Sequence, residues 1–308
     1  MEPDATPLTH LLGLLDVHEH EQQDQDSGHG TADEAARLRG YAPAEGTAPV
    51  YGGHLVAQAL GAAGRTADPR YHVHSLHASF LRPAEPGQPL DYTVERVTDT
   101  LHFATRHVRG RQQGREVFQL TASLHRPEPG PVYQQLPMPD VPGPDSLPTH
   151  EERLSKALGQ HVEPLGKPYD LRFVGPLSFE AAGDPALRSA RNQVWVRADG
   201  SLPPEPVPGH DHLLHACLLG YLSDVTLLDT AMMCHGLNWL TDLARVASLD
   251  HAVWFHRPAR VDQWLLYEQD AAVTYGARTL VHGRFFTRDG IVVASVAQEV
   301  LLRVAPRT

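Results

Sequence analysis

LHASFLRPA at residues 76–84 and HAVWFHRPA at residues 251–259 are two versions of one segment. Each reads as a strand that stops at Arg-Pro, with Phe80 matching Phe255 and Arg82-Pro83 matching Arg257-Pro258 at an offset of 175. Each follows a small-residue helix, YGGHLVAQALGAAGRT at 51–66 and DHLLHACLLGYLSDVTLLDTAMMCHG at 211–236. Downstream, GREVFQLTASL at 114–124 answers GIVVASVAQEV at 290–300, now at an offset of 176. One helix followed by antiparallel strands, written twice, predicts a duplicated α+β unit with helices packed on one continuous sheet.

The rest of the chain fits around that repeat. Strands are expected at 71–81, 90–97, 101–109, 116–126, 169–179, 193–198 and 291–303, with a turn at Arg111–Arg115. A short helix is expected at 7–17, and another after Thr149, which forms a capping box with Glu152. Eight prolines fall in the 24 positions 127–150, which no helix or central strand tolerates. The expected organisation is an N-terminal unit at 1–130, a proline-rich linker with a short helix at 131–168, and a C-terminal unit at 169–308. Residues 18–34 are polar and histidine-bearing, and read as a solvated loop.

At 308 residues and 41% hydrophobic, the chain has length for two ordinary domains. A formal charge of −11 argues against nucleic acid as a partner. The N-terminal stretch lacks the basic start and cleavage site of a signal peptide. The run 213–234 is long enough to span a membrane, but it carries Asp224, Asp229 and His215, so a buried core helix with no membrane association is expected. Cys217 and Cys234 lie far apart on that helix, which predicts free thiols and a cytoplasmic protein. His72 and His74 share a strand face while His77 points away, so no metal site is expected. Gly52-Gly53 fits neither a P-loop nor a dinucleotide fingerprint and reads as tight entry into a closely packed helix.

Three polar residues stand out against apolar surroundings. Asp224 sits midway along the 211–236 helix, whose stripe of Leu214, Leu218, Tyr221, Val225, Leu228 and Met232 should face a core. Asp211 and Gly236 should cap its ends. Its neighbours Cys217, Gly220 and Ala231 are small enough for another segment to approach. A carboxylate in such a place is costly unless it is hydrogen-bonded or used. Gln298 is the one polar residue on a strand face made by Val292, Ala294, Val296 and Val300. Ser248 precedes Asp250-His251; alone it reads as a turn residue. An acceptor, a hydroxyl and an amide together can hold one water.

GYLSDVTLLDTAMMCHG, SLDHAVWFHRPARVDQWLLY, FFTRDGIVVASVAQEVLLR and, in the first half, YGGHLVAQAL with HASFLRP resemble the acyl-CoA thioesterase II (TesB-like) family, from about residue 7 to the C-terminus. The resemblance implies a double hotdog: two tandem hotdog units forming one continuous antiparallel sheet around long central helices. It implies hydrolysis of acyl-CoA thioesters, of medium or long chain, to free acid and CoA, by a water that Asp224, Ser248 and Gln298 position. It implies an acyl-CoA substrate, no cofactor, a place in fatty acid metabolism, and association into dimers or larger homo-oligomers. Arg82, Arg257 and Arg260 are the candidates for the CoA phosphates. The chain departs from the family pattern at His54, where Gln is usual, at Cys234, where Pro is frequent, and in its histidine-rich loop at 18–30. These departures bear on substrate preference.

A thioester carbonyl is electrophilic and its thiolate leaves readily, so a positioned nucleophile is the main requirement. No GxSxG elbow occurs, which argues against an acyl-enzyme on serine. The competing enzyme is a hotdog enoyl-CoA hydratase or dehydratase, which needs a histidine beside the aspartate; nothing in the sequence marks one. A non-catalytic acyl-CoA-binding protein would not need the three polar residues together. A metal-dependent hydrolase is the remaining alternative.

Overall fold

The computed structural model describes residues 6–20, 35–44, 48–163, 166–202, 211–238 and 243–304. Most of the loop expected at 18–34 therefore lies outside the described residues. The helices and strands, in chain order, are α1 (Pro7–Leu15), β1 (His18–Glu19), β2 (Ala36–Tyr41), α2 (Gly52–Arg65), β3 (His72–Phe80), β4 (Pro89–Asp99), β5 (Phe103–Gln112) and β6 (Arg115–His125). After the prolines come α3 (His150–Leu158), β7 (Tyr169–Phe173), α4 (Ser178–Gly183), β8 (Arg191–Ala198), α5 (Asp211–Ser223) and α6 (Leu227–His235). The chain ends with β9 (Leu243–Ser248), β10 (Asp250–Phe255), β11 (Leu265–Tyr275), β12 (Arg278–Thr287) and β13 (Val292–Val304). They form two compact units: His10–Gly130 with Pro204–Tyr221, and Met1–Thr9 with Pro131–Pro203 and Leu222–Thr308.

The two units share one topology. Strands run β1-β2-β4-β5-β6-β3 in the N-terminal unit and β7-β8-β11-β12-β13-β10 in the C-terminal unit, so each strand has a counterpart, and β9 pairs with β13 beside β10. Every pairing within a unit is antiparallel, and short hairpins join β4 to β5, β5 to β6, β11 to β12 and β12 to β13. Gln113-Gly114 and Gly276-Ala277 are both at positive φ, the backbone of a two-residue turn whose twist matches the flanking strands. α2 packs on β3 to β6, and α6 packs on β8 and β11 to β13.

Glycines let α5 come close to α2 in the N-terminal unit. A Cβ on Gly53 would stand 2.5 Å from the Tyr221 carbonyl oxygen, and one on Gly220 would stand 3.2 Å from Val56. Tyr51 Oη also donates to that Tyr221 carbonyl at 2.7 Å. Gly52-Gly53 is thus the entry to a closely packed helix.

Three expectations need correction. The 211–236 stretch is two helices, broken at Asp224–Thr226. Ser223, Asp224 and Thr226 can each bond the backbone locally and so compete with the helix ladder. The Val225 N–H closes a tight turn onto the Leu222 carbonyl at 3.2 Å. The break resets the face that is buried: of the expected stripe Leu218 and Met232 are buried, but Leu214, Tyr221, Val225 and Leu228 are half-buried. Gly236 does end α6, at φ 63°, with its N–H shared between the Met232 and Met233 carbonyls. The strand expected at 169–179 stops at Phe173, because Gly175-Pro176 ends it and α4 begins at Ser178.

By length and composition His212–His235 could cross a bilayer, but 72% of its most apolar window is buried inside the protein. Residues 131–143 adopt no helix or strand and lie along the C-terminal unit. Met138, Val141 and Leu147 pack on a cluster of Trp195, Trp264, Leu266, Phe286 and Val292, and Trp195 Nε1 donates to the Pro142 carbonyl at 2.9 Å. The capping box at α3 is present, Thr149 and Glu152 each bonding the other's N–H. Cys217 and Cys234 are free thiols.

Candidate active site

Asp224, Ser248 and Gln298 converge in the C-terminal unit. Asp224 sits in the gap between α5 and α6 and is 8% exposed. Ser248 ends β9, in register with Val300 of β13. Gln298 is on β13 and is fully buried. Ser248 Oγ donates to Asp224 Oδ1 at 3.4 Å, and Gln298 Nε2 donates to Ser248 Oγ at 2.7 Å. The first contact is long for a hydroxyl on a carboxylate.

The sequence reading missed a fourth member. His251, at the start of β10, is fully buried. Its Nδ1 lies 2.5 Å from Gln298 Oε1 and its Nε2 lies 2.7 Å from Ser223 Oγ. An amide oxygen only accepts, so Nδ1 carries the hydrogen. Burial pushes the imidazole below its ordinary pKa, against the pull of nearby Asp224 and the Gln298 bond, which favours the neutral ring. Nε2 then accepts from the Ser223 hydroxyl. A histidine does stand near Asp224, contrary to expectation, but both its nitrogens are engaged within the core.

A strand irregularity brings Ser248 and His251 to one face. They are three positions apart, which in a regular strand puts them on opposite faces. Val300 opposes Ser248, and Ala297 opposes Ala252, so Gln298 falls opposite His251. Three steps on one strand against two on the other is a β-bulge, and the extra residue restores the common face.

The start of α6 is pinned separately. Gln269, fully buried on β11, donates to Thr226 Oγ1 and accepts from Thr230 Oγ1 at 2.6 Å. Tyr267 Oη donates to the Ser223 carbonyl at 2.7 Å, and burial together with the Asp224 charge keeps its phenol well above the ordinary pKa. A cavity of about 240 Å³ opens beside the same break, lined by Val225 and Thr226 and walled by Leu154, Leu171, Phe173 and Phe179. His150 and Lys167 also line it, and burial, then the Lys167 and Arg153 charges, push His150 down to about 4.

Each of the three candidate arginines already bonds another group of the protein. Arg82 donates to the Glu116 carbonyl at 2.6 Å. Arg257 donates to Gln134 Oε1 at 3.1 Å and to the Val292 carbonyl at 2.8 Å. Arg260 grips Asp262 through two bonds of 3.0 and 2.6 Å. Among the described residues no group of three His, Cys, Asp or Glu is placed to hold a metal ion. His72 packs against His212 with ring centres 4.0 Å apart and planes tilted by 34°, and His74 bonds Ser123 Oγ at 2.8 Å.

Comparison with known proteins gives concordant results. The family model for acyl-CoA thioesterase matches residues 180–301, and the model for the acyl-CoA thioesterase N-terminal domain matches residues 40–125. Acyl-coenzyme A thioesterase 8 of Mus musculus is 35% identical over 269 residues, covering 84% of this chain and 81% of its own. The crystal structure of an acyl-CoA thioesterase II, TesB2, from Mycobacterium marinum is 34% identical with a TM-score of 0.72, over 97% of this chain and 99% of that one. A conserved protein with the hot dog fold from Alicyclobacillus acidocaldarius, 20% identical, superposes with a TM-score of 0.70 over 97% of this chain and 99% of its own, which speaks to fold alone. With the repeated topology, these make the fold an α+β double hotdog.

Proposed function

The chain belongs to the acyl-CoA thioesterase family and is an acyl-CoA thioester hydrolase, and from that premise we propose that Asp224, Ser248 and Gln298 direct one water onto the thioester carbonyl of a medium- or long-chain fatty acyl-CoA. The observation that carries this is the Ser248 hydroxyl, bonded to the carboxylate on one side and to the amide on the other.

Asp224 accepts a hydrogen bond from the water and takes its proton as the oxygen attacks. Ser248 and Gln298 set the direction of approach, so the attack is in effect intramolecular. The tetrahedral intermediate then expels the CoA thiolate, a good leaving group, and the fatty acid departs. The acyl chain lies in the cavity beside Val225 and Thr226. That volume exceeds the roughly 150 Å³ apolar cavity known to admit benzene, so it takes several methylenes. Arg82, Arg257 and Arg260 remain the candidates for the CoA phosphates.

The hydratase alternative needs an imidazole that reaches substrate. His251 has both nitrogens committed and no exposed surface, which disfavours that chemistry. Asp224→Asn is the decisive test. The variant should fold and lose about 10²- to 10⁴-fold in the rate of CoA release, the scale of a general base. Near-normal hydrolysis by a folded Asp224→Asn enzyme would remove the carboxylate from the mechanism.

A further inference from the structure

We infer that His251 is a positioning residue for the hydrolytic step: its Nδ1–H locks the Gln298 amide so that the NH2 group, not the carbonyl, faces Ser248 and Asp224. This rests on the thioesterase reading above.

The two ends of a glutamine amide are nearly the same size, and only their partners decide which way it points. The carboxylate of Asp224 only accepts, so it takes the Ser248 hydrogen. Ser248 Oγ then needs a donor, and the Gln298 NH2 supplies it at 2.7 Å. The amide carbonyl, turned the other way, needs a donor in its turn, and His251 Nδ1 supplies it at 2.5 Å. Ser223 completes the chain by donating to Nε2. All four bonds run in one direction, toward Asp224. Without the imidazole donor the amide is free to flip. Its carbonyl would then draw the Ser248 hydrogen away from the carboxylate.

The N-terminal unit supplies an internal control. The repeat places Leu76 at the position of His251, and Ala122 at that of Gln298. Leu76 and Ala122 are direct cross-strand partners in β3 and β6, and both are fully buried. Val73, opposite Leu124, occupies the place of Ser248, and the same one-residue slip separates it from Leu76. One backbone therefore accepts Val, Leu and Ala in one copy and Ser, His and Gln in the other. A buried imidazole and a buried amide cost free energy that the apolar pair does not. Packing alone gives no reason for the polar set, and the polar set stands in the copy that holds Asp224.

The test is a double-variant cycle read as CoA release from one saturated acyl-CoA. His251→Leu, copying Leu76, should lower kcat by about 10- to 100-fold with KM little changed, the scale of a misplaced reacting group. His251→Asn, whose amide NH2 can take the place of Nδ1–H, should restore most of that rate. In a Gln298→Ala background, His251→Leu should cost nothing further, because it acts only through the amide. The double variant His251→Leu/Gln298→Ala recreates the Leu76–Ala122 pair that already packs in the other copy. Equal losses in both backgrounds, or a wild-type rate for folded His251→Leu, would overturn the inference. Should His251→Leu alone not fold, His251→Asn decides: retained rate supports the inference, and a loss as large as that of Gln298→Ala overturns it. A wild-type rate for Gln298→Ala would instead sink the site reading itself, and the role of His251 with it.

Discussion

Acid should destabilise this protein through a histidine outside the proposed catalytic set. His54, in the first turn of α2, is 1% exposed. Its Nε2 donates to the Tyr41 carbonyl at 3.1 Å, which leaves Nδ1 buried with no partner. Burial, only partly offset by the Tyr41 bond, holds its pKa at about 4 against an ordinary 6.5. As pH falls below 6.5 the unfolded chain takes up this proton and the folded chain does not. The unfolded state then binds more protons, so stability is complete above about pH 6.5 and is lost as pH falls towards 4. The loss by pH 4 is about 3 kcal/mol at ~1.36 kcal/mol per pKa unit. His54→Gln removes the titration while its amide can still donate to Tyr41. Urea unfolding at pH 7, 5.5 and 4 measures the effect, and the gap between the two proteins should widen in favour of the variant by about 3 kcal/mol at the acid end. Parallel pH curves for wild type and His54→Gln would refute the account.

Two other perturbations are sharp. Ala277 holds φ +59° in the hairpin between β11 and β12, so Ala277→Asn should raise stability by about 0.5–1 kcal/mol, read as a higher urea midpoint at unchanged slope. Leu154 on α3 walls the cavity beside Thr226. Leu154→Trp should raise KM for long-chain acyl-CoAs by about tenfold while short chains are hydrolysed as before, in a CoA-release assay across chain lengths.

Much of the fold is legible because period and repeat agree. The HASFLRP and WFHRP segments became β3 and β10, and their equivalent places in two units of one topology follow from the 175-residue offset. The residues Asp224, Ser248 and Gln298 were visible as polar groups on apolar faces. Their meeting was not visible, because it depends on a bulge and a helix break that periodicity smooths over. The 211–236 run is apolar throughout, so counting turns carried one helix through a gap that Ser223, Asp224 and Thr226 open. Gly175-Pro176 was a legible stop that the strand expectation at 169–179 ran past. His251 was hidden in plain sequence: beside Asp250 it resembles a strand entry. Laying the two copies in register shows it opposite a buried leucine, and that was the available signal.

The one-residue slip occurs in β3 against β6 and again along β13, at matching places. At those places the two units keep the same backbone register and differ in their side chains: Val73, Leu76 and Ala122 in one, Ser248, His251 and Gln298 in the other. The silent half is therefore a ready mould: Val73→Ser, Leu76→His and Ala122→Gln would transplant the polar trio without moving a strand.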